Sequence, residues 1–295
     1  MSIRQPLLIS LLLVAASVAH AADRDFEQTV KADPRGSVRV SNVAGKVHVT
    51  GWDRSEVEVK ARFSGNVERV EVLSDKGRTT IKVILPRSSS RSGEADLEIH
   101  VPRQSDLDIS AVSADVSTER LLGPQRLTTV SGDVRAEFAK DFEGKTVSGD
   151  LRLKGQSEPG DVRVSSVSGD VYLDRGGGDV EVTSVTGDLL LDVSSVTTVR
   201  TRTTSGDLSL RGALARDGSV EAETISGDVT VRVKPVAGFQ YEATSFSGTI
   251  GNCFGRHAEN TNAHGPGTRL NGTAGDGRGR VRVKSMSGDV AICDR

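Results

Sequence analysis

Eight aspartates recur along the sequence in a motif of an apolar residue, Ser or Thr, Gly and Asp, with Ala114 replacing Gly in the first copy. They are Asp115, Asp133, Asp150, Asp170, Asp188, Asp207, Asp228 and Asp289. Stacked carboxylates could bind calcium, because like charges about 5 Å apart repel and a cation relieves that repulsion. Alternatively, Gly tolerates the positive φ of a corner while Asp accepts a hydrogen bond from its own turn. We favour this structural role and expect no metal or cofactor, because calcium-binding repeats supply several oxygen ligands per turn.

A second candidate site is a Gly-rich, basic segment at about 254–279, which contains His257, His264, Arg269 and Arg278. Two His residues seven apart could bind a metal, but no Cys or carboxylate set at ligand spacing accompanies them. We expect a flexible, solvated loop over the last repeat. The functional alternative is a contact with lipopolysaccharide or another anionic polymer of the envelope.

The two cysteines occupy the same column of the repeat. Cys253 follows Thr249, the ninth motif position, by four residues, and Cys293 follows Asp289 by four. If these repeats are neighbours, the two Cα atoms lie about 5 Å apart, which a disulfide accepts. The sequence therefore predicts a disulfide, with a 40-residue step made of one repeat and an insertion. Two free thiols separated by a degenerate repeat are the alternative.

The nine motif copies define the fold. Their spacing averages about 19 residues, and the apolar positions on either side of the corner are two apart, which is the period of a β-strand. So short a unit cannot bury its apolar face alone, so successive units must stack about 4.8 Å apart. The prediction is an all-β, single-stranded β-solenoid of about nine to ten coils.

The chain divides into three parts. Residues 1–21 have the positive start, apolar run and Ala-His-Ala ending of a signal peptide. Residues 22–104 alternate apolar and polar residues between turn signals, which predicts a hairpin-rich cap, with a degraded motif copy at 38–49. Residues 105–295 carry the repeats. No later apolar run is long enough for a transmembrane segment.

Composition excludes several functions. The chain has 38 Lys and Arg against 40 Asp and Glu, which argues against a nucleic-acid partner. Only 3% of the 295 residues are aromatic, which is low for an enzyme pocket. No Ser-His-Asp set or Asp-Asp pair appears. We therefore expect a protein that is not an enzyme.

The repeated Val-Ser-Gly-Asp-Val units, the early segment 47–53 and the closing segment 279–289 resemble the bacterial putative-adhesin family, a domain of unknown function. The resemblance covers nearly all of the chain after the leader, and it implies a β-solenoid at the cell envelope. We expect an exported, periplasmic or cell-surface module that binds an envelope polymer or protein or serves a structural role. The alternatives are a polysaccharide-active β-helix enzyme and a calcium-binding repeat protein.

Overall fold

The computed structural model describes the following residues: 24–86, 93–156, 160–235, 237–261 and 266–294. Within these ranges the regular structure is all β-strand, in one sheet of 22 strands. The predicted leader, residues 1–21, lies outside the described residues. The expected all-β class is confirmed.

Each repeat contributes two strands that meet at the motif corner. We call the strand before the corner the first face and the strand after it the second face. On the second face, Leu151 and Leu153 are buried while Arg152 and Lys154 are exposed. This alternation follows from the geometry of a strand, whose successive side chains point to opposite sides. The inward columns of Val and Leu form one continuous core.

The central repeats pair in parallel and in register. Leu151, for example, lies between Val134 and Val171 of the two neighbouring repeats. Every aligned residue therefore has its counterpart about 4.8 Å away along the stack. The strands are β7 (Asp106–Glu119), β8 (Gln125–Ser131), β9 (Val134–Phe138), β10 (Phe142–Ser148), β11 (Leu151–Gly155), β12 (Val162–Ser168), β13 (Val171–Thr186), β14 (Leu189–Ser205) and β15 (Leu208–Ser226).

The N-terminal region contains both a repeat and a cap. Its strands are β1 (Arg24–Lys31), β2 (Ser37–Trp52), β3 (Glu56–Ser64), β4 (Arg69–Asp75), β5 (Arg78–Ile84) and β6 (Glu94–Pro102). β2 runs parallel to β7 on one side and to β5 and β6 on the other. It is therefore a full member of the stack, although it lies in the stretch 22–104 that the sequence assigned to a cap. β3 and β4 run antiparallel to β6 and β5, and β1 to β3, so hairpins cover this end.

At the C-terminal end the stack departs from chain order. The strands are β16 (Val229–Pro235), β17 (Gly238–Ser247), β18 (Ile250–Asn252), β19 (Glu259–Asn260), β20 (Thr268–Gly275), β21 (Gly279–Ser287) and β22 (Val290–Cys293). β21 and β22 pair with β15 and β16 on one side and with β17 and β18 on the other. The final repeat is thus inserted between the two repeats that precede it, and the sequence analysis did not foresee this.

The connection from β18 to β21, which makes this insertion possible, contains the strand β20. β20 runs antiparallel to β17 along the outer edge of the last repeat. A bare β17 edge would leave backbone N–H and C=O groups unpaired, and β20 satisfies them. The sequence analysis expected a flexible loop at about 254–279, and residues 268–275 of it are instead a β-strand.

One outward position of the first face alternates in charge along the whole stack. In stack order its residues are Arg39, Asp108, Arg126, Glu143, Arg163, Glu181, Arg200, Glu221, Arg282 and Glu242. Chain order would place Glu221 beside Glu242, whereas the insertion places Arg282 between them. The Arg282 guanidinium lies 3.2 Å from the Glu242 carboxylate. Because like charges on adjacent strands repel and opposite charges attract, this column favours the observed order.

A neighbouring column repeats this arrangement around Glu223. Its carboxylate lies 2.9 Å from Lys284 Nζ and 3.0 Å from Arg202 Nη2 on the two adjacent repeats. The hydrogen bonds from Lys284 and Arg202 hold the pKa of Glu223 below its usual value. The inserted repeat therefore has charge contacts on both sides: Arg282 with Glu242 of the last repeat, and Lys284 with Glu223 of the repeat of β15.

Glu223→Gln should lower the free energy of unfolding by about 1 kcal/mol at pH 7, because it removes the charge from two ion pairs. The folded pKa is lowered, so this contribution is present above the unfolded value of about 4.3 and is lost as pH falls through the folded pKa. Urea unfolding at pH 7 and at stepwise lower pH measures both. Glu181→Gln is the control, because its nearest cation is a single guanidinium 4.0 Å away. An equal loss in both variants, or one independent of pH, would contradict the assignment.

Gly206→Ala should lower the free energy of unfolding by about 3 kcal/mol or more, because it adds a backbone overlap to the cost of a positive φ. Gly206 has φ 130°, and a Cβ atom there would overlap the carbonyl oxygen of Gly187 in the preceding repeat. At Gly255, with φ 70°, a Cβ atom would meet nothing within 4 Å, so Gly255→Ala should cost only about 1 kcal/mol. Urea unfolding of both variants makes the comparison, and similar losses would refute the close-approach argument.

Candidate functional site

The eight motif aspartates form a single column along the corner of the stack. The carboxylate Oδ1 of each accepts the backbone N–H of the residue at the same position in the next repeat. The Asp228 amide, for example, donates to Asp207 Oδ1 at 2.8 Å, and the Asp207 amide donates to Asp188 Oδ1 at 2.9 Å. The sequence analysis placed this hydrogen bond within the turn of each Asp. The structure shows that it links successive repeats.

This column of hydrogen bonds between repeats explains why one motif copy lacks its aspartate. The Thr249 amide donates to Asp289 Oδ1 at 2.8 Å, and this hydrogen bond holds the pKa of Asp289 below its usual value. In the described part of the chain, the repeat of Thr249 is the last in the stack. A carboxylate at 249 would have no further corner amide to accept.

The carboxylates of this column are engaged by groups of the protein itself. No three His, Cys, Asp or Glu side chains among them come together as a metal-ligand group. The second carboxylate oxygen is also engaged on the repeats of Asp133, Asp150 and Asp170, each by a side chain two residues further on. On these repeats the carboxylates hold protein groups at both oxygens.

Those side chains form the floor of a groove of about 670 Å³ on the outside of the second face. We call the floor the six lining residues that lie two positions after the motif Asp in successive repeats: Ser117, Arg135, Arg152, Tyr172, Leu190 and Ser209. The rim consists of residues four positions after it: Glu119, Glu137, Lys154, Asp174, Asp192 and Arg211. The groove therefore runs along the stack and crosses several repeats.

The motif carboxylates hold the floor of the groove in place. Arg152 Nη2 donates to Asp150 Oδ2 at 3.0 Å, and the Tyr172 hydroxyl donates to Asp170 Oδ2 at 3.1 Å. The hydrogen bond to Asp170 raises the pKa of Tyr172. The Arg152 guanidinium lies 5.1 Å from the centre of the Tyr172 ring, within cation–π range. The same aspartates thus link the repeats and position the groove.

The charges of the groove balance. Its cations are Arg135, Arg152, Lys154 and Arg211, and its carboxylates are Glu119, Glu137, Asp174 and Asp192. Lys154 Nζ lies 3.3 Å from Glu137 Oε1 across two repeats. The surface therefore offers many hydrogen-bonding groups beside the apolar sides of Tyr172 and Leu190, with no formal net charge.

Residues 36–293, nearly the whole described chain, match the family model described as Toastrack DUF4097. The chain belongs to this Toastrack family. Its solved neighbours include a crystal structure described as a putative adhesin from Parabacteroides merdae ATCC 43184, with a TM-score of 0.50 and 10% identity, covering 91% of this chain and 96% of that one. Another is described as a putative adhesin from Bacteroides fragilis NCTC 9343, with a TM-score of 0.46 and 14% identity, covering 91% and 97%. Likeness at this identity shows the fold alone.

The expected resemblance to putative adhesins is thereby confirmed. No curated protein matches the chain. Within the described ranges, no helix has the length and hydropathy needed to cross a membrane.

The two cysteines of this Toastrack chain form a disulfide. Cys253 and Cys293 are bonded, with Cα atoms 5.0 Å apart. Cys253 follows β18 and Cys293 ends β22, so the bond joins the last repeat of the stack to the inserted repeat. The predicted pairing is present, although the chain reaches it by inserting its final strands.

The basic segment does not form a common ligand set among its described residues. Arg269 lies on β20 opposite Glu259 of β19, and the Arg278 guanidinium lies 3.5 Å from Asp276. His257 is exposed, and His264 lies outside the described residues. Each described member therefore has its own local environment.

The sequence analysis missed the groove because it compared only the inward columns of the Toastrack repeat. The outward columns carried a signal. Arg135, Arg152 and Tyr172 each follow a motif Asp by two residues, on three successive repeats. Parallel in-register stacking necessarily places such residues side by side.

Asp207→Ala should lower the free energy of unfolding by about 1–2 kcal/mol, because the Asp228 amide at the corner loses its acceptor. Asp207→Asn keeps an acceptor oxygen and should lose less. Asp217→Ala, outside the motif column, is the control. Urea unfolding gives the three values, and adding calcium or EDTA should leave the wild-type midpoint unchanged. A calcium-dependent midpoint, or equal losses for Asp207→Ala and Asp217→Ala, would contradict the structural role.

Proposed function

We propose that this chain is an exported, non-catalytic binding module of the bacterial cell envelope. Residues 1–21 serve as the leader, and the mature chain folds as a β-solenoid with ten motif-bearing coils, including β2. The leader-like N-terminus, the Toastrack family and its solved neighbours described as putative adhesins support this proposal. The disulfide agrees with an oxidising compartment outside the cytoplasm.

The observation that carries the binding role is the groove on the second face. Its length along the stack suits an extended ligand, since the floor repeats one residue per coil at a constant rise. Its carboxylates and guanidinium groups can hydrogen-bond to hydroxyls, and Tyr172 and Leu190 offer apolar surface to C–H groups. The partner is therefore a linear glycan of the envelope.

The charge balance favours a neutral glycan over an acidic one. A polyanion gains from a surface with excess positive charge, whereas each cation of this groove is matched by a carboxylate. The basic segment around Arg269 and Arg278 lies at the end of the stack and does not line this groove. We assign it no part in glycan binding.

The groove carboxylates suit binding better than hydrolysis. A glycosidase needs one carboxylic acid that retains its proton and a second carboxylate at a defined distance. Here Glu137 lies beside Lys154, and the Asp174 carboxylate lies 3.7 Å from Arg175 Nε. Both carboxylates lie within ion-pair distance of a cation of the protein, and their oxygens can accept hydrogen bonds from sugar hydroxyls.

Binding to neutral and acidic linear glycans immobilised on an array tests the proposal. Wild type should bind a neutral glycan, and Tyr172→Ala and Arg152→Ala should each weaken that binding at least tenfold. Arg200→Ala, on the outside of the first face, is the matched control and should bind as wild type. A Tyr172→Ala Arg152→Ala double variant that binds like wild type would refute the groove.

The same glycans in solution test the non-catalytic assignment. No new reducing ends should appear after prolonged incubation with the purified protein. Turnover that disappears in Glu137→Gln or Asp174→Asn but persists in Arg200→Ala would replace binding with hydrolysis as the function.

A further inference from the structure

The apolar residue that opens each motif is exposed in every repeat that has one. The exposed fractions run from 37% at Val43 to 58% at Phe246 and Met286. The set is Val43, Val112, Val130, Val147, Val167, Val185, Ile225, Met286 and Phe246. Thr204 fills the same position in the remaining repeat. We call this column the apolar ridge.

The ridge is continuous because the residues on either side of it are in register. Thr146 pairs with Ser166 and Ser148 with Ser168, so Val147 lies beside Val167. Ten positions about 4.8 Å apart make a stripe roughly 45 Å long. Isolated apolar residues on a surface are common, but a contiguous apolar patch of several hundred Å² marks an interaction site. The core does not need these side chains, since other columns fill it.

We propose that a second copy of this chain covers the apolar ridge, in a two-fold dimer whose two stacks run parallel. A second copy has the same rise per repeat, so every ridge position can meet its own counterpart along the whole stripe. A specific interface buries roughly 800 Å² per partner, so the partner must follow the ridge over most of its length.

The charges that flank the ridge favour the parallel arrangement. One flank is the motif Asp column, and the other is the outward residue two positions before the ridge. An antiparallel dimer would bring the two Asp columns together, which is repulsive. A parallel two-fold dimer brings each Asp column to the opposite flank of the partner. That flank holds Lys145, Arg202 and Lys284 on the repeats of Asp150, Asp207 and Asp289, and a single carboxylate, Glu223, on the repeat of Asp228.

The same column argues against an anionic lipid surface as the occupant. Its carboxylates run beside the ridge along eight repeats, and they would repel phosphate headgroups. A dimer instead pairs several of them with cations and removes the apolar stripe from water.

Sedimentation velocity of the purified protein over a range of concentrations tests the dimer. Wild type should sediment as a dimer at micromolar concentration, and Val147→Ser Val167→Ser should shift it to monomer. Leu73→Ser is the matched control, because Leu73 is 64% exposed on β4 away from the ridge, and it should remain dimeric. Circular dichroism and thermal melting must show that each variant is folded. A monomeric wild type, or a dimer that survives the ridge substitutions, overturns the proposal.

Single cysteines report the direction of the two stacks. Both natural cysteines are already paired, so Val130→Cys and Ile225→Cys, at the third and eighth of the ten ridge positions, each add one free thiol. In the parallel dimer each variant should form disulfide-linked dimers with itself under mild oxidation. In an antiparallel dimer only the mixture of the two variants could cross-link, and that result would overturn the proposed arrangement. No ridge residue lines the groove, so glycan binding by the ridge variants separates failure of the dimer from failure of the groove.

Discussion

The structure depends on one interaction, the hydrogen bond from a corner amide to the motif carboxylate of the neighbouring repeat. It requires that successive corners lie directly above one another, because the two groups meet at hydrogen-bond distance only in register. Glycine before the Asp lets the corners approach this closely, since a Cβ atom would overlap the carbonyl of the preceding repeat. A shift of one residue would turn every inward Val and Leu outward, so the corner and the core specify the same register.

Register alone does not determine the order of the repeats, because every corner is nearly equivalent. The alternating charges of the first face supply the missing specificity at the C-terminal end. Arg282 fits between Glu221 and Glu242, and Lys284 fits beside Glu223. Two like charges would meet if the chain stacked in its own order. Thr249 fits the same order, since the last corner of the stack needs no carboxylate, and the disulfide then holds the inserted repeat.

The features that sequence alone could predict are those visible within a single repeat. The strand period, the Gly-Asp corner and the shared column of Cys253 and Cys293 need only an alignment of the chain with itself. The insertion of β21 and β22 could not be deduced in this way, because it depends on which repeats become neighbours. The charge at Arg282 carries that information only once parallel stacking is assumed. The groove was missed for a related reason. Tyr172 contributes to it through its contact with Arg152, which lies on the adjacent repeat and not in the same one.

Different side-chain positions of each coil have separate roles. Inward Val and Leu fill the core, the motif Asp links neighbours, the residues after it form the groove, and the residue before the corner forms the ridge. A parallel dimer through the ridge would leave both grooves open and pointing the same way along the stack. Two grooves on one rigid body can bind a long polymer at two places, and the second contact then becomes intramolecular. A modest affinity for each glycan segment would therefore suffice for firm attachment, provided that the polymer is long enough to reach both grooves.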